Sequence, residues 1–184
     1  MEHGAKISHF IMQTKEELEL WYQNSDPWAY KITKDDLDRR HKICKILESY
    51  LPYERALDIG CGEGFVTEHI RANVIHGIEI SDKAAKRFSS KITRVHEPDG
   101  KYDLVTTTGT MYPQYNHQQI YDWVMNSAAR IILIAGIKDW LIPYKYGKIL
   151  YREEFTYREY VQQVTVYEYL GENPMDGFRK IELE

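Results

Sequence analysis

The sequence predicts an α/β fold, a doubly wound and mostly parallel sheet, and three observations predict it. Residues 56–64 read as a short buried strand, with Leu57 and Ile59, that runs into glycines at alternate positions, Gly60, Gly62 and Gly64, and then into a helix-like stretch over 65–71. Strand, glycine turn and helix open a nucleotide-binding α/β unit. Glycine suits that turn because it accepts positive φ and lets a ligand touch the backbone. The second observation is the strand-like run His76–Ile80, which ends on an acid, Glu79. The third is a pair of apolar runs, Tyr102–Thr108 and Arg130–Ala135, separated by a helical pattern over 117–129 with Ile120, Trp123, Val124 and Ala128 on one face.

The spacing of the glycines separates two kinds of nucleotide site. The dinucleotide fingerprint Gly-x-Gly-x-x-Gly needs glycine at 65, where Phe65 stands. The turn here is Gly-x-Gly-x-Gly, preceded by Asp58. With Glu79 and the run Tyr102-Asp103-Leu104-Val105, it resembles the first motifs of the class I S-adenosylmethionine (SAM)-dependent methyltransferases. The resemblance implies a Rossmann-like, seven-stranded sheet with an antiparallel C-terminal hairpin, and SAM as cofactor. It implies cofactor contacts from Asp58, Gly60, Cys61, Gly62, Glu63, Gly64 and Phe65 around the turn, from Glu79 and Ile80, and from Thr108 at the end of the fourth strand. Glu79 would hold both ribose hydroxyls, because one carboxylate accepts from two vicinal donors. Another doubly wound domain with a tight glycine turn is the alternative.

Composition bounds the rest. A chain of 184 residues is one domain by size, long enough to bury a sizeable core. The expected division is an N-terminal helical extension over 1–51 and a SAM-binding core over 55–184. No apolar run approaches a membrane span. Met1-Glu2-His3-Gly4 lacks a basic region leading into an apolar core, so no signal peptide is expected and the cytoplasm is the default. Two cysteines, Cys44 and Cys61, form neither a metal-type pair nor a disulfide framework, so no metal site is expected. The net charge of −4 gives no global attraction to nucleic acid.

Along the N-terminal third, residues 1–13 carry no strong pattern. Thr14-Lys15-Glu16-Glu17 is a capping-box signal for a short helix through Trp21 and Tyr22. Thr33-Lys34-Asp35-Asp36 opens a longer one, with Ile43, Ile46, Leu47 and Tyr50 on one face. Between them, Asp26-Pro27-Trp28, with the basic stretch at Arg39-Arg40, resembles a methyltransferase subgroup related to the nodulation N-methyltransferases. There an N-terminal extension folds over the cofactor, so Trp28 is a candidate cofactor contact and 1–51 a candidate lid. Docking of these aromatic residues as ordinary core is the other reading. Arg39, Arg40, His41, Lys42 and Lys45 read either as a solvated helix face or as an anchor for an acidic substrate or for the cofactor's carboxylate.

Beyond Glu79, Ser81 or Asp82 can cap a helix through Lys83–Phe88, and a third strand is expected near Ile92–Val95. Only Pro98-Asp99-Gly100-Lys101 then separates Glu97 from the fourth strand. That is too few residues for a helical crossover, so the third strand must be short or its return extended. The resemblance implies an acid or amide near the end of strand three for the adenine amino group, and Glu97 is the nearest candidate. Residues 141–155 read as a loop, which the resemblance implies builds the substrate pocket, and Thr156–Glu159 as a capping box for a short helix. Val164–Leu170 and Phe178–Leu183 read as an antiparallel hairpin around 171–177.

Methyl transfer needs a placed nucleophile and, where the nucleophile carries a proton, a base. Tyr112 and His117 follow strand four and are the candidate catalytic residues; His117 could act as general base. Lys138 and Trp140 follow strand five. The resemblance places an acid just after strand four, where this chain has Gly109. Thr107-Thr108-Gly109-Thr110 also departs from the Asn/Asp-Pro-Pro-aromatic motif of base-methylating relatives, which argues against a DNA or RNA base as acceptor. The leading expectation is a methyltransferase acting on N or O of a small polar or sugar-like acceptor, with no nucleic acid and no membrane as partner. RNA or protein methylation through the basic helix, and a non-catalytic SAM-binding domain, are the alternatives.

Overall fold

The computed structural model describes residues 13–171. Its centre is a seven-stranded sheet in the order β3-β2-β1-β4-β5-β7-β6. The strands are β1 (Arg55–Ile59), β2 (Val74–Ile78), β3 (Ile92–Arg94), β4 (Tyr102–Thr108), β5 (Ala128–Ile137), β6 (Lys148–Tyr157) and β7 (Tyr160–Glu168). β1 to β5 pair in parallel; β7 runs antiparallel to β5, and β6 antiparallel to β7. The expected doubly wound sheet with a closing hairpin is therefore present. Among the described residues, no helix is long and apolar enough to cross a membrane.

Both faces of the central strands are covered, so their sequences are apolar almost throughout. Successive side chains alternate between two cores. Ala56, Leu104, Ile131, Leu133, Val164 and Val166 face a core completed by Ile43 and Leu47 of helix α2 (Lys34–Glu48). Leu57, Ile59, Val105, Ile132 and Ile134 face the other, completed by Ile120, Tyr121, Val124 and Met125 of α4 (His117–Ser127). The period-two alternation of strands and the three-to-four spacing of helices explain this division.

Two more helices are short. In α1 (Lys15–Trp21) the capping box is formed as expected: Thr14 Oγ1 accepts from Glu17 N, and Glu17 accepts from Thr14 N. In α3 (Asp82–Ala85) Ser81 caps by accepting from Ala84 N. α2 begins where Thr33 predicts, but by a different contact. The Thr33 hydroxyl donates back to Ala29 O at 2.8 Å and makes no cap bond.

Several expectations are corrected. Residues 65–71 form a single 3₁₀ turn, Thr67–His69, and not a helix. β-Branched Val66 and Thr67 are poor helix formers, the Thr67 hydroxyl is committed to Asp58 at 2.6 Å, and β2 begins at Val74. Residues 148–157 are strand, not loop, and the chain turns at Arg158-Glu159, so Thr156–Glu159 is a strand end and a hairpin turn, not a helix. The antiparallel hairpin is thus β6–β7, one strand earlier than expected. The predicted strand Phe178–Leu183 and the turn 172–177 lie outside the described residues, as does nearly all of the N-terminal stretch 1–13. β3 is short and returns to β4 without a helix, as the spacing requires.

The hairpin turn is fixed by a buried carboxylate. Asp36 is fully buried in the first turn of α2. It accepts from Tyr157 Oη at 2.6 Å and from Arg158 Nη2 and Nε at 2.6 and 3.2 Å. Arg158 has φ +52° and also donates to Trp28 O at 3.1 Å. We expect Asp36→Asn to lower unfolding stability by about 2–3 kcal/mol in denaturant titration, below the cost of breaking a fully enclosed pair. Arg158 keeps 33% of its side chain in water, which moderates the loss. A midpoint unchanged from wild type would show that the hairpin does not depend on this carboxylate.

Candidate functional site

The carboxyl ends of β1, β2, β4 and β5 open onto one cavity of about 780 Å³. Ligands bind at this edge in open α/β sheets, and the volume suits a cofactor together with a small second ligand. Its floor is the glycine turn. Gly60 and Gly62 have φ of +72° and +58°. A Cβ on Gly60 would stand 2.2 Å from Thr110 Cγ2, and one on Gly62 2.8 Å from Tyr22 Oη. Backbone is therefore presented directly to the cavity, with Tyr22 closing over it from the end of α1.

Glu79 stands just past β2 beside this turn and is 7% exposed. One oxygen accepts from Gly62 N at 2.9 Å and the other from Ser81 N at 2.8 Å. Burial raises its pKa; the two backbone donors work against that rise. Each carboxylate oxygen keeps a further lone pair for a ligand donor.

The other turn carboxylates face different partners. Glu63 lines the cavity, but its oxygens accept from Asp26 N at 3.0 Å, Arg87 Nη1 at 2.6 Å and Lys31 Nζ at 3.3 Å. It thereby clips the 26–31 segment onto the glycine turn. Asp58 is off the cavity wall, 1% exposed beneath the turn, with one oxygen on the Thr67 hydroxyl and the other without a partner. Burial, reinforced by the nearby Glu79 charge, pushes its pKa up to about 7.

Of the remaining expected cofactor contacts, Trp28, Cys61, Phe65, Ile80 and Thr108 line the cavity, and Gly64 packs behind it against Ile92. Cys61 is a free, buried thiol whose Sγ fills the space a Cβ on Gly77 would need. Trp28 stacks on Trp21 at 5.6 Å and on Tyr30 at 6.0 Å, and Tyr30 meets Phe65 at 5.5 Å. The extension at 13–31 thus forms a wall of the cavity.

Of the expected catalytic pair, Tyr112 lines the cavity and His117 does not. His117 Nδ1 lies 2.9 Å from Tyr144 Oη, at the outer side of α4's start. The Tyr112 hydroxyl accepts from Ile137 N at 2.7 Å, and burial pushes its pKa up to about 12. Glu97 is exposed and off the wall; His96 and Arg94 are the residues there. Among the described residues no group of side chains could hold a metal ion.

The sequence did not single out Tyr115, Tyr157, Tyr160 or Gln162, all of which line the cavity. The last three belong to the hairpin that was expected one strand later; extending the period of two back from Val164 puts Gln162 and Tyr160 on one face of that strand, a signal that could have found those two. Arg39 was seen only as one of a basic cluster. It is 7% exposed, on the cavity wall, with its guanidinium 5.3 Å from the Tyr30 ring and 5.1 Å from the Tyr157 ring. Its Nε has no partner, and Asp36, 3.7 Å from its Nη2, is already taken by Arg158 and Tyr157. The rest of the cluster differs. Lys42 pairs with Glu153 at 2.6 Å, Arg40 lies over Phe65, and His41 and Lys45 are exposed.

No protein-family model matches the chain, and no curated protein matches it. Solved structures do. The N-methyltransferase NodS from Bradyrhizobium japonicum, in complex with S-adenosylhomocysteine (SAH), superposes with a TM-score of 0.72 at 14% identity, over 86% of this chain and 99% of that one. Magnesium protoporphyrin IX methyltransferase from Synechocystis, with bound SAM, gives 0.60 at 14% identity over 84% of this chain and 96% of that one. A proposed RNA methyltransferase from Pyrococcus horikoshii gives 0.59 at 12% identity over 89% of this chain and 100% of that one. The chain has the fold these methyltransferases share.

The Asp58 carboxyl supplies a test of the buried turn. Its folded-state pKa of about 7 lies above the ordinary 3.8, so the folded chain holds the proton more tightly than the unfolded chain. The stabilisation this gives is complete below about pH 4 and is lost as pH rises through 7. Asp58→Asn keeps an acceptor for Thr67 and removes the titration. We expect the variant to melt above wild type at about pH 8, by about 2–4 °C or more, and the gap to close at about pH 4. A variant that is no more stable at the higher pH would refute the buried, uncompensated carboxylate.

Proposed function

We propose that this chain is a SAM-dependent methyltransferase whose acceptor is a small molecule. The observation that carries the reading is Glu79, a buried carboxylate clamped by Gly62 N and Ser81 N and facing a cavity floored by positive-φ glycines. That arrangement fits a ribose: its vicinal hydroxyls are donors, and Glu79 retains lone pairs for both. The glycine turn fits the rest of the group, because bare backbone meets it without a side chain between. The methyltransferase fold, including neighbours with SAM or SAH bound, supports the same assignment.

The residues that would hold the cofactor follow from their positions. Glu79 would hold the ribose, the backbone of 60–63 would meet the part of the group joining ribose to methionine, Ile80 would contact the adenine, and Tyr22 and Trp28 would wall the group in. Arg39, a buried cation on the wall with a free Nε, is assigned to the carboxylate of the cofactor. When bound, SAM supplies an electrophilic methyl group on a sulfonium. The chain itself binds, orients and excludes water; the stacked rings of Trp28, Tyr30 and Phe65 serve that exclusion.

A small acceptor is favoured over RNA or protein by how the basic helix is used. Of the five basic residues at 39–45, Arg39 faces the cavity, Lys42 is paired and Arg40 lies over Phe65. Only His41 and Lys45 of that cluster stay exposed, a sparse footing for a polyanion. A non-catalytic role is disfavoured by the reach of the cavity, which runs on from the glycine turn to Trp140, Tyr160 and Gln162 at the ends of β4 and β5.

Calorimetric titration with SAM and with SAH tests this. Binding in the micromolar range is expected for both. Glu79→Ala, which removes two charge-assisted hydrogen bonds, should weaken it about 100-fold or more. A folded chain that binds neither compound would sink the proposal.

A further inference from the structure

The cavity has a second, chemically distinct end. At the carboxyl ends of β4 and β5 it is walled by Tyr112, Ile137, Trp140, Tyr160 and Gln162. The Trp140 ring lies 5.1 Å from Tyr160 and 5.7 Å from Tyr112, with interplanar angles of 57° and 84°. Rings tilted in this way present both faces and edges to a flat guest.

Gln162 is the polar member of that wall. It sits in β7 opposite Ile137 of β5 and Phe155 of β6, and it is 1% exposed. Its Nε2 is buried and has no hydrogen-bond partner. An amide donor left bare in a core costs about 1–3 kcal/mol. Such a group is expected where a ligand supplies the missing acceptor.

The carboxylates of the cavity wall lie at the other end. Asp26, Glu63 and Glu79 line the wall near the glycine turn, where each already accepts from backbone or cationic donors. Arg158 is tied to Asp36. Asp139 and Glu159, next to Trp140 and Tyr160 in sequence, are exposed and off the wall. His117 is turned to Tyr144, and His96 lies past β3 on the Glu79 side. Among the described residues, then, no carboxylate or imidazole at the ring-lined end stands ready to take a proton from an acceptor. Tyr112, with its pKa pushed up by burial, holds its own.

We propose that the acceptor is an uncharged planar heteroaromatic ring bearing a hydrogen-bond-accepting oxygen, and that it is methylated on a ring nitrogen. This rests on the methyltransferase reading above and specifies its acceptor. The ring lies against Trp140, Tyr160 and Tyr112, and Gln162 Nε2 donates to the oxygen. The nitrogen's lone pair forms the new bond to the methyl carbon while the carbon–sulfur bond breaks. Sulfur leaves as a neutral thioether, the positive charge passes to the ring, and no proton moves. A site without a base is sufficient for that reaction, whereas an alkylammonium acceptor would first need deprotonation. The aromatic faces favour the charge as it arrives.

Pyridine carboxamides have this chemistry, and benzamide is their isostere without the nitrogen. With the chain saturated in SAH, benzamide is expected to bind saturably in calorimetry. Gln162→Leu should weaken that binding about tenfold and leave SAH affinity unchanged, which also shows that the variant is folded. With labelled SAM, nicotinamide or isonicotinamide should accept label and benzamide should not, at a rate flat between about pH 6 and 9. If SAH binds but benzamide does not, or if benzylamine is methylated in preference with a rate that climbs with pH, the acceptor class is overturned and the methyltransferase reading stands. If SAH itself fails to bind, the methyltransferase reading falls first.

Discussion

The bond from Gly62 N to the Glu79 carboxylate, 2.9 Å, is the contact on which the site depends. It ties the glycine turn after β1 to the end of β2, two points separated along the chain but adjacent at the sheet edge. The pairing of Asp58 with Gly77 and of Ile59 with Ile78 brings those ends together. The turn's positive φ values fold its backbone onto the end of β2, where Gly60 N and Cys61 N donate to Ile78 O and Gly62 N donates to Glu79. Because the carboxylate is buried, this bond is made in a low dielectric and is strong, and losing it would leave a bare charge. The sheet thus sets the distance, the glycines set the direction, and the acid is held with spare lone pairs toward the cavity.

Two further carboxylates bring the rest of the cavity to that centre. Glu63 accepts from Asp26 N and Lys31 and so fastens the N-terminal segment across the turn. Asp36 accepts from Tyr157 and Arg158 and so fastens the β6–β7 hairpin to the start of α2. The first element lies outside the sheet, and the second extends it past β5, where the antiparallel ladder already holds β7; in both, the added anchor is an acid buried against several donors. Arg39 stands between them, over Tyr30 from the first element and Tyr157 from the second. Its position therefore reports whether both are docked.

The legible part of the fold was the part built on backbone geometry and strict periodicity. The glycine turn, Glu79, β4 and the short β3 were readable because each rests on spacing within one stretch of chain. The limits of the fourth strand, Tyr102–Thr108, agree with its apolar run, since both of its faces are buried and its end is marked by Gly109 at φ +86°. What failed rests on contacts distant in sequence. Thr156-Tyr157-Arg158-Glu159 has the letters of a helix start, but Arg158 is drawn into a turn by Asp36, more than a hundred residues earlier. β6 is a mostly exposed edge strand, polar along much of its length, and so carried no strand signal. The same limit applies to the site. Arg39 was visible only as one charge among five, because its burial depends on rings supplied by residues 30 and 157.

On the proposed function, the two ends of the cavity would divide the work of a transfer reaction between them. A cationic, carboxylate-bearing cofactor needs charged and directional partners, which Glu79 and Arg39 would supply. The departing group becomes neutral as the methyl leaves, so the positive charge has to be accommodated on the acceptor side. A carboxylate there serves an acceptor that must lose a proton or that already carries charge, and an uncharged ring acceptor does neither. Ring faces act differently: they attract a cation but hold an uncharged ring by contact area alone. The Tyr112, Trp140 and Tyr160 rings would therefore favour the state after such a transfer over the state before it. On that ground, the glycine at 109 in place of an acid is a consistent part of the site, since a charge-developing transfer to a neutral ring gains from an aromatic wall what it would not gain from a base.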